Sequence, residues 1–94
     1  MDSSVYKYLK VRMKNGTSGT YGQLFWITDQ DGSYDQAKSK TFTITANDSI
    51  IREYTVDLSA DSDWDDNIRG FLFDPTAANS GTIEIDSICF SKTN

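Results

Sequence analysis

The last third of the chain, from Trp64 to Phe90, most narrowly limits what this sequence can fold into. It reads WDDNIRGFLFDP, then a polar loop TAANS, then GTIEIDSICF. Two strand-like runs are separated by an Asp-Pro turn and a glycine, and in the second run Asp86 interrupts apolar alternation. Successive residues of a strand face opposite ways, so alternation with period two marks a strand with one buried face. The segment reads as two closing strands of an all-β domain.

The same alternation runs back through the chain. Six strands are expected, at about Tyr6 to Met13, Gly22 to Thr28, Ser39 to Thr45, Ile51 to Leu58, Ile68 to Asp74 and Thr82 to Phe90. Leu9, Val11 and Met13 share one face of the first strand, and Tyr8, Lys10 and Arg12 the other. Phe71 and Phe73 oppose Leu72 in the fifth. The connections NGTSG, DQDG, ANDS and DSDWDDN are turn chemistry, and no segment reads as a helix of useful length. Strands at this spacing specify an antiparallel β-sandwich or jelly roll. The last strand carries an irregularity, because Ile83 and Ile85 fall out of phase with Ile88 and Phe90. One extra residue at Asp86-Ser87 restores all four to the core, so a β-bulge is expected there.

Composition removes several functions. The 94 residues suffice for a single domain, with a disordered start expected over residues 1–5. A net charge of -5 disfavours binding to a nucleic-acid backbone, which needs Lys and Arg. The absence of histidine removes the usual general base and the commonest transition-metal ligand. Cys89 is the one cysteine, so there is no intrachain disulfide or thiolate zinc site. It is expected as a small buried thiol of the last strand. No apolar run reaches membrane-spanning length, and MDSSVYK has no apolar signal core. The 14 Asp and Glu residues lie mostly in turns, with no pair placed across a cleft, so no enzyme activity is expected.

The segments YLKVRMKNGT, GQLFWITDQDGSYDQAKS, YTVDLSADSDWDDNIRGFLFDP and GTIEIDSICF resemble galactose-binding-domain-like β-sandwiches that serve as carbohydrate-binding modules. The resemblance covers Tyr8 to Phe90 and is diffuse; the W…I…DP…G…I-D-I spacing is its most specific part. It implies a secreted bacterial origin, in a polysaccharide-degrading enzyme, and a polysaccharide or oligosaccharide ligand. Such modules usually begin one or two strands earlier, with a strand that pairs with the last one. Here the chain starts almost directly in a strand, as a shortened variant or an excised piece of such a domain would, and either is expected to leave a sheet edge open to another chain. A homo-oligomer or strand-swapped dimer is therefore expected.

Sugar binding needs a flat aromatic surface and fixed polar groups that reach hydroxyls. Tyr8, Lys10 and Arg12 are candidates for such a surface, joined by Gln23 and Phe25 if the resembling pattern turns Leu24 and Trp26 inward. The plainer reading makes Tyr8 and Phe25 an ordinary cross-strand pair. Tyr21 is a further candidate at a loop tip. Tyr34 and Trp64 read as packing residues. The alternating aspartates at 29–35 and 61–65 lack the glycine and glutamate of an EF-hand loop and read as solvated turns. Resembling modules often use an acidic residue of the last strand for a structural calcium, which makes Asp86 the candidate metal ligand. The function expected is non-catalytic carbohydrate binding that targets a tethered enzyme; the alternative is an assembly domain that oligomerises through an exposed sheet edge or face.

Overall fold

The computed structural model describes residues 1–94. It contains six strands and no helix: β1 (Tyr8–Gly16), β2 (Tyr21–Thr28), β3 (Ser39–Thr43), β4 (Arg52–Asp57), β5 (Ile68–Asp74) and β6 (Thr82–Ser91). They form two antiparallel sheets, ordered β4-β1-β6 and β3-β2-β5. The strands fall within two residues of where alternation places them, except at the end of β1, which runs three residues further, through Asn15 and Gly16. Turn chemistry in NGTSG places those two residues in a loop, but they extend the strand.

The core lies between the sheets. Leu9, Val11 and Met13 of β1 and Leu24 and Trp26 of β2 are fully buried and belong to one cluster with Val56, Leu58, Trp64 and Ile68. Burying each large apolar side chain stabilises the fold by about 1.5–3 kcal/mol. Rings crossing between the sheets show how they stack. Phe42 of β3 lies 6.2 Å from Tyr54 of β4, and Phe71 of β5 lies 5.1 Å from Phe90 of β6. Strands β5 and β6 are therefore edges on the same side of the molecule.

The bulge falls where the phase change requires it. Arg12 pairs with Ser87 and Met13 with Ile85, which leaves Asp86 as the extra residue. Ile83, Ile85, Ile88 and Phe90 then pair with Asn15, Met13, Val11 and Leu9, all buried on the core side. Facing inward does not bury them all: Ile85 stays 44% exposed and Ile88 36%, because no further strand covers this edge. A second irregularity, in β5, leaves Arg69 as the extra residue between the partners of Ile27 and Thr28.

The first residues, expected to be disordered, are tied to the start of β5. Asp2 bridges Asn67, the Met1 ammonium donates to the Ile68 carbonyl at 2.9 Å, and Ser3 is buried with its hydroxyl on the Asp66 carbonyl. Asp66 itself has φ 59°, a left-handed conformation that aspartate tolerates better than most residues.

Candidate functional site

The residues expected to form one sugar platform lie on two different surfaces. Tyr8, Lys10 and Arg12 alternate with the core residues of β1 and so face outward from the β4-β1-β6 sheet. Gln23 and Phe25 alternate with Leu24 and Trp26 of β2 and face outward from β3-β2-β5. The two outer faces are on opposite sides of the molecule, so no platform combines them. Tyr8 pairs with Asp57 and Ser91, not with Phe25. Alternation assigns each residue a face but does not say which strands share a sheet, and β1 and β2 do not.

The outer face of β4-β1-β6 is a ladder of charge pairs. Arg12 Nε lies 3.2 Å from the Asp86 carboxylate, and its guanidinium also approaches Glu53 at 3.9 Å. Lys14 pairs with Glu84 at 3.3 Å. All these groups are about half exposed, so each pair contributes little to stability. Cys89 sits on this face opposite Lys10 and is exposed, not buried as expected. Asp86 fits calcium poorly here: its neighbour is a guanidinium, whereas calcium takes 6–8 oxygen ligands. No group of three or more acidic, Cys or His side chains gathers around it or elsewhere.

The outer face of β3-β2-β5 has a different chemistry. Tyr21, Gln23 and Phe25 follow one another along its central strand, so Tyr21 and Phe25 stand about 13 Å apart with an amide between them. Tyr21 is 45% exposed. Phe25 lies between Ser39 of β3 and Leu72 of β5, and Leu72 is 52% exposed. Gln23 lies between Thr41 and Asp74. Its Nε2 donates to Gln36 Oε1 at 2.6 Å and Ser39 Oγ at 3.0 Å, which orients the amide and leaves its carbonyl oxygen free. Thr43 lies beside Tyr21. At the far end Tyr34 and Ile27 meet over Gly70, where an added Cβ would lie 3.0 Å from the tyrosine hydroxyl. Sequence reasoning missed Leu72, Thr41, Thr43 and Asp74 as neighbours of Phe25, Gln23 and Tyr21. Each is one residue away from inward-facing Phe73 or Phe42 and so faces outward, yet only strand order places them beside β2.

The loop between β2 and β3 is anchored on charge. Asp31, read as a solvated turn residue, accepts from the Thr28 N–H at 2.7 Å and from Lys38 Nζ at 2.9 Å. The Thr28 N–H chiefly, and then Lys38, hold its carboxyl below the usual carboxylate range. Shallow depressions of 280–430 Å³ ring the loop ends, and none includes Tyr21 or Phe25. The strip on β3-β2-β5 is thus a flat face, with no enclosing pocket.

Trp64 is a core residue. Its ring stacks on Phe90 at 5.7 Å, and its Nε1 donates to the Tyr6 carbonyl at 2.8 Å. Comparison with family models, with curated proteins and with solved structures finds no match to this chain.

Proposed function

We propose that this chain is a non-catalytic carbohydrate-binding domain, a galactose-binding-domain-like β-sandwich, whose ligand face is the outer surface of β3-β2-β5. The carrying observation is the strip Tyr21–Gln23–Phe25, in which two rings flank an oriented amide on a flat sheet. Rings of this kind offer apolar faces to the C–H side of a pyranose. The Gln23 carbonyl oxygen, the Thr41 and Thr43 hydroxyls and the Asp74 carboxylate supply hydrogen-bond partners for its hydroxyls. A preformed sheet face loses little conformational freedom on binding, which favours affinity.

Of the expected ligand-binding residues, Tyr21, Gln23 and Phe25 belong to this reading. Tyr8, Lys10 and Arg12 do not, because their face is already occupied by ion pairs and offers one half-buried ring. The role that follows is to hold a tethered catalytic partner at a polysaccharide surface outside the cell. The assembly alternative draws on the uncovered side between β5 and β6 and does not compete for the same residues.

Affinity electrophoresis against a panel of plant, algal and microbial polysaccharides tests the reading. At least one polymer should retard the protein, and Tyr21→Ala and Phe25→Ala should abolish that retardation. Arg12→Ala, on the opposite face, should migrate like the parent. Absence of retardation by every polymer, or equal loss in the Arg12 variant, would sink the proposal.

A further inference from the structure

The geometry points to a homodimer formed by antiparallel pairing of β6 with β6 of a second copy. Strand β6 is an edge of its sheet, ten residues long, and carries no proline. Its inward face is uncovered: Ile85 and Ile88 are 44% and 36% exposed, and Phe71 of the adjoining edge β5 is 47% exposed. A long apolar edge with free backbone groups is a template for another strand.

The occupant is identified by the symmetry of the strand about its bulge. Ile83, Ile85, Ile88 and Phe90 are placed symmetrically around the Asp86–Ser87 peptide. A two-fold axis through that peptide pairs Ile85 with the partner's Ile88 and Ile83 with the partner's Phe90. On the outer face it sets Glu84 against the partner's Cys89 and Asp86 against the partner's Ser87. No carboxylate opposes a carboxylate, although the chain as a whole carries a charge of -5. Like charges directly opposite each other destabilise a strand pair, so this register avoids the chief obstacle to self-association.

The bulge also fixes the register. Sliding one strand by two residues sets outward-facing Ser87 against the partner's inward-facing Ile88, a mismatch that breaks the pairing at the centre of the strand. Only the alignment in which the two bulges meet keeps inward residues opposite inward residues along the whole strand. The pairing is isologous, closes at two copies and exchanges no element between them. It yields one continuous sheet, β4-β1-β6 followed by the partner's strands in reverse order. This inference does not depend on carbohydrate binding.

Sedimentation equilibrium from micromolar to submillimolar concentration, with a disulfide trap, provides the test. The parent protein should approach twice its monomer mass as concentration rises. Ile85→Lys and Ile88→Lys should remain monomeric with unchanged circular dichroism, since both side chains are already partly exposed in the monomer. Glu84→Cys should form a disulfide-linked dimer with the native Cys89 under mild oxidation, and adding Cys89→Ser should abolish it. The two positions are five residues apart on one strand and cannot reach each other within a single chain. A parent protein that is monomeric throughout, dimers that persist in both lysine variants, or failure of the trap would overturn the inference.

Discussion

Trp26 and Trp64 meet edge to face, with ring centroids 5.1 Å apart and planes at 84°. Both indole N–H groups are engaged, Trp26 with the Asp63 carbonyl and Trp64 with the Tyr6 carbonyl, each at 2.8 Å. The pair joins the centre of β2 to the β4–β5 loop and to the chain just before β1. A turn-rich segment with four aspartates is thereby fastened to the core.

Replacing that ring should be among the most damaging single changes. Trp64→Ala removes the contact with Trp26 and the stack on Phe90, and a cost of about 3–5 kcal/mol is expected for a buried aromatic. Trp64→Phe keeps a ring but leaves the Tyr6 carbonyl unpaired, which costs about 1–3 kcal/mol. Urea unfolding followed by tryptophan fluorescence measures both. Equal losses in the two variants would show that the hydrogen bond dominates over the ring.

Asn15 carries a load that its position in NGTSG hides. It is fully buried, and its Nδ2 donates to the Gly19 carbonyl at 2.9 Å and the Thr45 carbonyl at 3.0 Å. Its Oδ1 accepts from the Thr17 N–H at 3.1 Å and from the Thr17 hydroxyl. Asn15→Leu keeps the branched shape of the side chain, in a bulkier form, but strands these partners, each worth about 1–3 kcal/mol when buried and unpaired. The variant should lose at least as much stability as Trp64→Phe. A melting temperature within a degree or two of the parent would refute this.

What alternation could and could not disclose follows from its physics. It marks the inward face of the strands other than β2, where apolar residues run together and only the resembling pattern turns Leu24 and Trp26 inward. The phase slip between Ile85 and Ile88 locates the bulge at Asp86. The parity of Leu9, Val11 and Met13 also points Asn15 inward, but turn propensity hid that signal. Strand order is a different kind of information, because it depends on long-range pairing that no local pattern encodes. Tyr8 and Phe25 were therefore assigned correctly to outward faces yet grouped wrongly as neighbours. The exposure of Cys89 was legible in the same way: once the bulge is placed, Cys89 faces out with Ser87 and Ser91.

The Asp31–Lys38 pair should give the protein a pH-dependent share of its stability. The carboxyl of Asp31 is held low, chiefly by the Thr28 N–H and then by Lys38, and the Lys38 ammonium is raised, chiefly by its hydrogen bond to Asp31. A depressed carboxyl stabilises the fold fully above about pH 4, the unfolded value, and loses that share as pH falls through its folded value. A raised ammonium contributes fully below about pH 10 and loses its share as pH rises through its folded value. Asp31→Asn should therefore melt below the parent at neutral pH, with the gap closing as the pH falls below the ordinary carboxylate value and through the lowered one of Asp31. A gap that stays constant from neutral to acid pH would show that charge at Asp31 contributes nothing.

The dimer and the proposed ligand face together predict avidity. Pairing through β6 keeps both inner faces on one side of the shared sheet, so both β3-β2-β5 sheets stack on that side. Their outer faces, each with Tyr21 and Phe25, then point the same way. Linked sites facing one polymer bind it more tightly than either site alone, by about a hundredfold when the geometry permits both to engage. The parent should thus bind an immobilised polysaccharide far more tightly than the Ile88→Lys monomer, while the two bind a short oligosaccharide equally. Equal affinity for the polymer in a parent already shown to be dimeric would mean that the two faces cannot reach one surface. A difference on the oligosaccharide as well would instead place Ile88, or the dimer contact, within the binding site itself.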